Sequence, residues 1–83
     1  MDIIIHPHAR NRMRERGATE EEVRLTVNGG EQFPAKYGRI GFRRNFSFNA
    51  IWRGKRYASK QIEVYTVKEE QVWVIITVIV RYF

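Results

Sequence analysis

The 83 residues include no cysteine, so the chain has neither a disulfide framework nor a thiolate metal site, a composition that suits a reducing compartment. Long apolar runs are missing as well. The longest, Val72 to Val80, is about half of what a bilayer-spanning helix needs. The first residues carry no basic-then-apolar leader, and the expectation is a cytoplasmic protein without membrane contact. No repeat, low-complexity tract or linker divides the sequence, which predicts a single domain over residues 1–83. So small a core must be economical, and it leaves room for stabilisation by a partner, a second copy included.

Several catalytic arrangements are excluded in the same way. There is no cysteine nucleophile, no G-x-S-x-G elbow and no glycine loop for phosphates, since "NGG" at residues 28–30 reads as a helix stop. His6 and His8 straddle Pro7 beside Asp2 with no second group of ligands nearby, so no metal and no cofactor is expected.

The most informative absence is of acid. Between residues 36 and 60 there is no Asp or Glu, while Lys36, Arg39, Arg43, Arg44, Arg53, Lys55, Arg56 and Lys60 supply eight positive charges. The whole chain carries +6, so the excess is local. A segregated basic stretch concentrates polyanions, RNA and DNA above all, with strong salt dependence.

The pattern of what is present predicts an α+β fold in the order β-α-α-β-β-β. Ile3 to Ile5 is a short β-branched strand, and "HPHARNRMRERG" is a helix with Pro7 in its first turn and Gly17 at its end. Thr19 with Glu22 forms a capping-box pattern for a second helix, Glu20 to Asn28, buried along Val23 and Val27. Residues 31–38 read as a loop. From Ile40 the period becomes two: Ile40, Phe42, Phe46, Phe48, Ala50 and Trp52 alternate with Arg39, Arg43, Asn45, Ser47 and Arg53. Arg44 and Ile51 break the alternation, and a bulge is expected near Asn49. A three-residue turn at Gly54, Lys55 and Arg56 would pair Phe48 with Ile62 and Phe46 with Val64, giving one apolar face. "VWVIITVIV", apolar on both parities, is a central strand next to Ile3–Ile5. The two N-terminal helices then pack on one face of a twisted, mostly antiparallel sheet whose other face stays open.

On that open face the expected nucleic-acid-binding residues are Arg39, Arg43, Arg53, Lys55, Arg56, Tyr57 and Lys60, cations for phosphates with an aromatic ring for stacking. Metal-free RNA cleavage further needs a proton acceptor, a proton donor and cations at the phosphate. Glu63, Tyr65 and Tyr82 are the candidate proton-transfer groups and Arg81 a candidate cation. His8, Arg12 and Arg16 form a row at i, i+4, i+8 on the first helix. His8 is more often a capping or packing residue than a catalyst.

That helix carries a resemblance. "HARNRMRERGATEEEV" resembles the opening of a family of small bacterial and phage-type domains of unknown function with the pattern His-x-x-x-Arg-Met-x-x-Arg-Gly-x-[Ser/Thr]-x-x-x-Val, matched here by His8, Arg12, Met13, Arg16, Gly17, Thr19 and Val23. "GKRYASKQIEVYTV" is similar to its second half. The family looks related to the RelE and BrnT toxins of type II toxin-antitoxin systems, which share the element order. The resemblance implies endoribonuclease action, commonly on messenger RNA at the ribosome, and a cognate antitoxin. By position it marks Arg43, Tyr57, Arg81 and Tyr82, although no histidine lies in the sheet. A toxin-like endoribonuclease is therefore the first expectation. A non-catalytic RNA-binding or ribosome-associated module is the second, and a protein-interaction domain using a free sheet edge the third.

Overall fold

The computed structural model describes residues 2–83. Its elements are β1 (Asp2–Ile5), α1 (Pro7–Arg16), α2 (Glu20–Gly29), β2 (Glu31–Pro34), a 3-10 turn (Lys36–Gly38), β3 (Ile40–Trp52), β4 (Lys55–Glu69) and β5 (Val72–Tyr82). The helix boundaries follow from local chemistry. His6 caps α1, its imidazole accepting from the His8 N–H at 3.0 Å, and Gly17 ends it in the left-handed region. Thr19 and Glu22 cap α2 reciprocally. None of the described helices is long and apolar enough to cross a membrane.

One five-stranded sheet has the order β1-β5-β4-β3-β2, antiparallel except where β1 runs parallel to β5 along Val72–Ile75. β5 thus sits beside Ile3–Ile5, as its two-sided apolar sequence requires. Both helices cover one face. Ala9 and Met13 of α1 and Val23 and Val27 of α2 pack with Phe42, Ile62, Val64, Ile75 and Val78, and six of these nine, Ala9 and Val23 among them, are fully excluded from solvent.

Two features depart from the sequence reading. Residues 31–34 form an edge strand rather than a loop, pairing Glu31 with Arg43 and Phe33 with Gly41. Pro34 ends the strand, where its missing N–H costs little, and the Phe33 ring lies on Gly41 so closely that a Cβ there would come within 2.4 Å of it. The β3–β4 turn is also shorter than expected. Arg53 and Gly54 form a two-residue left-handed turn, with φ of 51° and 83°, and Trp52 pairs with Lys55. The bulge expected near Asn49 is present, with Asn49 at φ 47° and a register shift between Ser47 and Ala50. Turn and bulge together bring Phe42 opposite Val64, Arg44 opposite Ile62 and Phe46 opposite Lys60, instead of pairing Phe46 with Val64.

Strand alternation places Lys60 on the helix-covered side, in line with Ile62 and Val64. It is 4 % exposed, and its Nζ donates to the Gly17 carbonyl and to Glu22 Oε1 at 2.7 Å. Lys60 is therefore a core contact and is withdrawn from any outer binding surface. Lys60→Met keeps the stem but leaves the Gly17 carbonyl without its donor. We expect a loss of about 2–3 kcal/mol in urea unfolding; an unchanged midpoint would mean that the pair contributes nothing to stability.

Candidate nucleic-acid interface

The uncovered face is built from alternate residues of neighbouring strands: Arg43 and Asn45 on β3, Gln61, Glu63 and Tyr65 on β4, and Thr77, Ile79 and Arg81 on β5. Glu63 lies at its centre. Its carboxylate meets Arg81 Nη1 at 2.6 Å and Arg43 Nη1 at 3.4 Å, and the Tyr65 hydroxyl donates to it at 3.2 Å. Arg43 also reaches Glu31 Oε1 at 2.7 Å and covers the Phe33 ring at 4.7 Å. Three adjacent strands thus place a carboxylate between two guanidiniums.

Burial pushes the Glu63 carboxyl up, but the hydrogen bond and charge of Arg81, the Tyr65 hydroxyl and the Arg43 charge hold it below the usual carboxylate range. Burial and then the Glu63 charge raise the Tyr65 phenol, which stays protonated at neutral pH. Because the folded-state value of Glu63 is depressed, its stabilisation is present above the unfolded value of about 4.3 and is lost as pH falls through the folded one. Stability measured by denaturant titration should accordingly decline on acidification below about pH 4.3, and Glu63→Gln should flatten that decline.

The network brings together Arg43, Glu63, Tyr65 and Arg81. The remaining candidates lie elsewhere. Tyr82, expected on the open face, sits on the helix side: its hydroxyl donates to the Arg16 carbonyl at 2.7 Å, and its ring stacks on Trp52 at 5.0 Å. Tyr57 joins that aromatic cluster, 5.6 Å from Tyr82, instead of standing beside Arg43. The cause is the hairpin tip, which turns in over the α1–α2 corner, where Arg53 Nη2 donates to the Glu15 carbonyl at 2.9 Å. Lys55 lies over Tyr57 at 5.5 Å and Arg56 donates to the Asn49 carbonyl at 3.2 Å, so these two also belong to the tip. Arg39 is at the opposite end, 5.8 Å from the exposed Tyr37 ring.

Of the helix-one residues, Arg12 and Arg16 have structural partners. His8 is exposed, Arg12 pairs with Glu15 at 2.9 Å, and Arg16 donates to the Val78 carbonyl at 2.7 Å. Among the described residues no three His, Cys, Asp or Glu side chains gather as metal ligands.

Sequence reasoning missed Glu31 and Phe33, because both depend on the β2 pairing; the alternation of Glu31 and Phe33 within "EQFP" was the available signal. Two carboxylates, Glu31 and Glu63, balance Arg43 and Arg81, so the surplus positive charge resides away from the centre of the face: Lys36 and Arg39 at one end of the sheet, and Arg53, Lys55 and Arg56 on the hairpin tip at the other.

A family model described as "Domain of unknown function (DUF4258)" matches residues 5–80. No curated protein and no solved structure matches the chain.

Proposed function

We propose that this chain, which belongs to the family described as domain of unknown function (DUF4258), is a toxin-like endoribonuclease that cleaves RNA on its open sheet face without a metal. The observation that supports this reading is the placing of the Glu63 carboxylate between Arg43 and Arg81 on three adjacent strands. An RNA phosphate would be held by the two guanidiniums. The ionised Glu63 would take the proton of the neighbouring 2′-hydroxyl as that oxygen attacks phosphorus. The bond to the 5′-oxygen breaks, with Arg81 stabilising the departing charge until water protonates it. The products would be a 2′,3′-cyclic phosphate and a free 5′-hydroxyl. Kinship with the RelE and BrnT toxins, action on ribosome-bound messenger RNA and neutralisation by an antitoxin belong to the same proposal.

A second reading is favoured by one observation. Glu63 is only 5 % exposed and already receives three donors, an arrangement equally suited to a fixed strut in a non-catalytic RNA-binding module. The two separate in one experiment. The purified chain is incubated with single-stranded RNA in excess chelator, and the ends of any fragments are identified. Cyclic phosphate ends that depend on Arg81 support cleavage; intact RNA retained by the protein supports binding alone; intact RNA without binding removes both.

Under either reading the end charges govern affinity. Arg39→Ala should weaken binding and reduce the slope of log affinity against log salt by about 1. An unaltered slope would show that Arg39 meets no phosphate.

A further inference from the structure

Next to the Glu63 network the open face deepens into a groove of about 460 Å³ between the segment 33–39 and the outer sides of β4 and β5. Phe33, Tyr37 and Tyr65 contribute aromatic walls, Thr77 and Ile79 lie along the sheet, and Lys36 and Arg39 supply its charge. No acidic side chain lines it, and among the described residues neither Lys36 nor Arg39 is in an ion pair. Tyr65 belongs to both places: it lines the groove and its hydroxyl reaches Glu63.

Tyr37 adds an independent observation. It is 88 % exposed, yet its backbone is left-handed, with φ 62° and ψ 34°, ahead of Gly38 at φ 70°. A non-glycine residue pays about 1–2 kcal/mol for that conformation, and burial of the ring does not repay it. Asn49, Arg53 and Glu70 share this conformation, but Tyr37 combines it with an aromatic side chain held in water beside a cationic groove, the setting in which such strain accompanies ligand contacts.

We propose that this groove is a nucleobase subsite: it takes the unpaired base of the nucleotide adjoining the phosphate held at Arg43 and Arg81, with Tyr37 as stacking platform and Lys36 and Arg39 on the next phosphate. The proposal rests on the RNA reading given above. It commits to a base rather than an apolar peptide because the groove combines aromatic faces with unpaired cations, the two elements single-stranded nucleic acid requires. A volume in the range of small-ligand pockets accommodates one nucleotide.

The test uses the full chain and a short 2′-O-methyl RNA, which cannot be cleaved, in a set where one base at a time is replaced by an abasic sugar. Removal of one particular base should weaken binding on the order of tenfold, the effect of a lost stack. Tyr37→Ala should erase the dependence on that position, while Tyr37→Phe retains it. If the intact strand binds but no single base matters, the groove holds no base and the proposal is overturned while the phosphate reading stands. If no strand binds at any salt concentration, the RNA reading falls and the subsite with it.

Discussion

Gly17→Ala is expected to cost about 3 kcal/mol or more, a large share of the stability of a domain this size. Two effects add. Gly17 has φ +79°, a region where a Cβ costs about 1–2 kcal/mol. The added carbon would also stand 2.5 Å from the Tyr82 hydroxyl and 2.7 Å from the Trp52 ring. Neither can retreat freely, because Tyr82 donates to the Arg16 carbonyl while stacked on Trp52. Gly54→Ala is the internal control: φ is +83° but nothing lies within 4 Å, so only the conformational cost applies. Thermal unfolding should therefore fall on the order of 15 °C for Gly17→Ala and by about a third of that for Gly54→Ala. Equal losses would show that the packing of Trp52 and Tyr82 against this corner contributes nothing.

Glu63→Gln carries the second large effect, and its signs run in opposite directions. If the carboxylate accepts the 2′-hydroxyl proton, the neutral amide should lower the cleavage rate about 100-fold or more. The same change removes one negative charge from between Arg43 and Arg81, so affinity for RNA should rise and become steeper in salt. A damaged fold would lower both, and a strut without chemistry would raise affinity with no cleavage to lose. The depressed value of the Glu63 carboxyl keeps it ionised across the neutral range, so the wild-type rate should show no Glu63 titration between about pH 5 and 8. A rate rising through that window would assign the base to another group.

The helices were legible because each announces its ends within a few residues: Pro7 and Gly17 bracket α1, and Thr19 with Glu22 starts α2. The partnership of β1 and β5 could be read from the two-sided apolar sequence of the latter. Register could not, because it depends on two small devices acting together. The Arg53-Gly54 turn sets Trp52 opposite Lys55, the bulge at Asn49 shifts the pairing by one residue more, and together they decide that Phe46 meets Lys60 and not Val64. Of the site, Arg43, Glu63, Tyr65 and Arg81 were legible because strand parity alone keeps them on one face. Tyr57 was not, since the inward curl of the hairpin tip overrides parity at its end, whereas Tyr82 shares the parity of Val78 and Val80 and so falls on the helix side.

The contact of Arg16 with Val78 has a consequence for molecules in a crowd. Ser59 and Phe83 exchange both ladder bonds, so the alternate residues Val78, Val80 and Tyr82 aim their peptide groups away from β4, and β1 covers β5 only as far as Ile75. A stretch of edge without a strand partner is a template on which sister chains can add. A guanidinium planted on the Val78 carbonyl acts as a gatekeeper there, because an incoming strand must first evict a hydrogen-bonded cation.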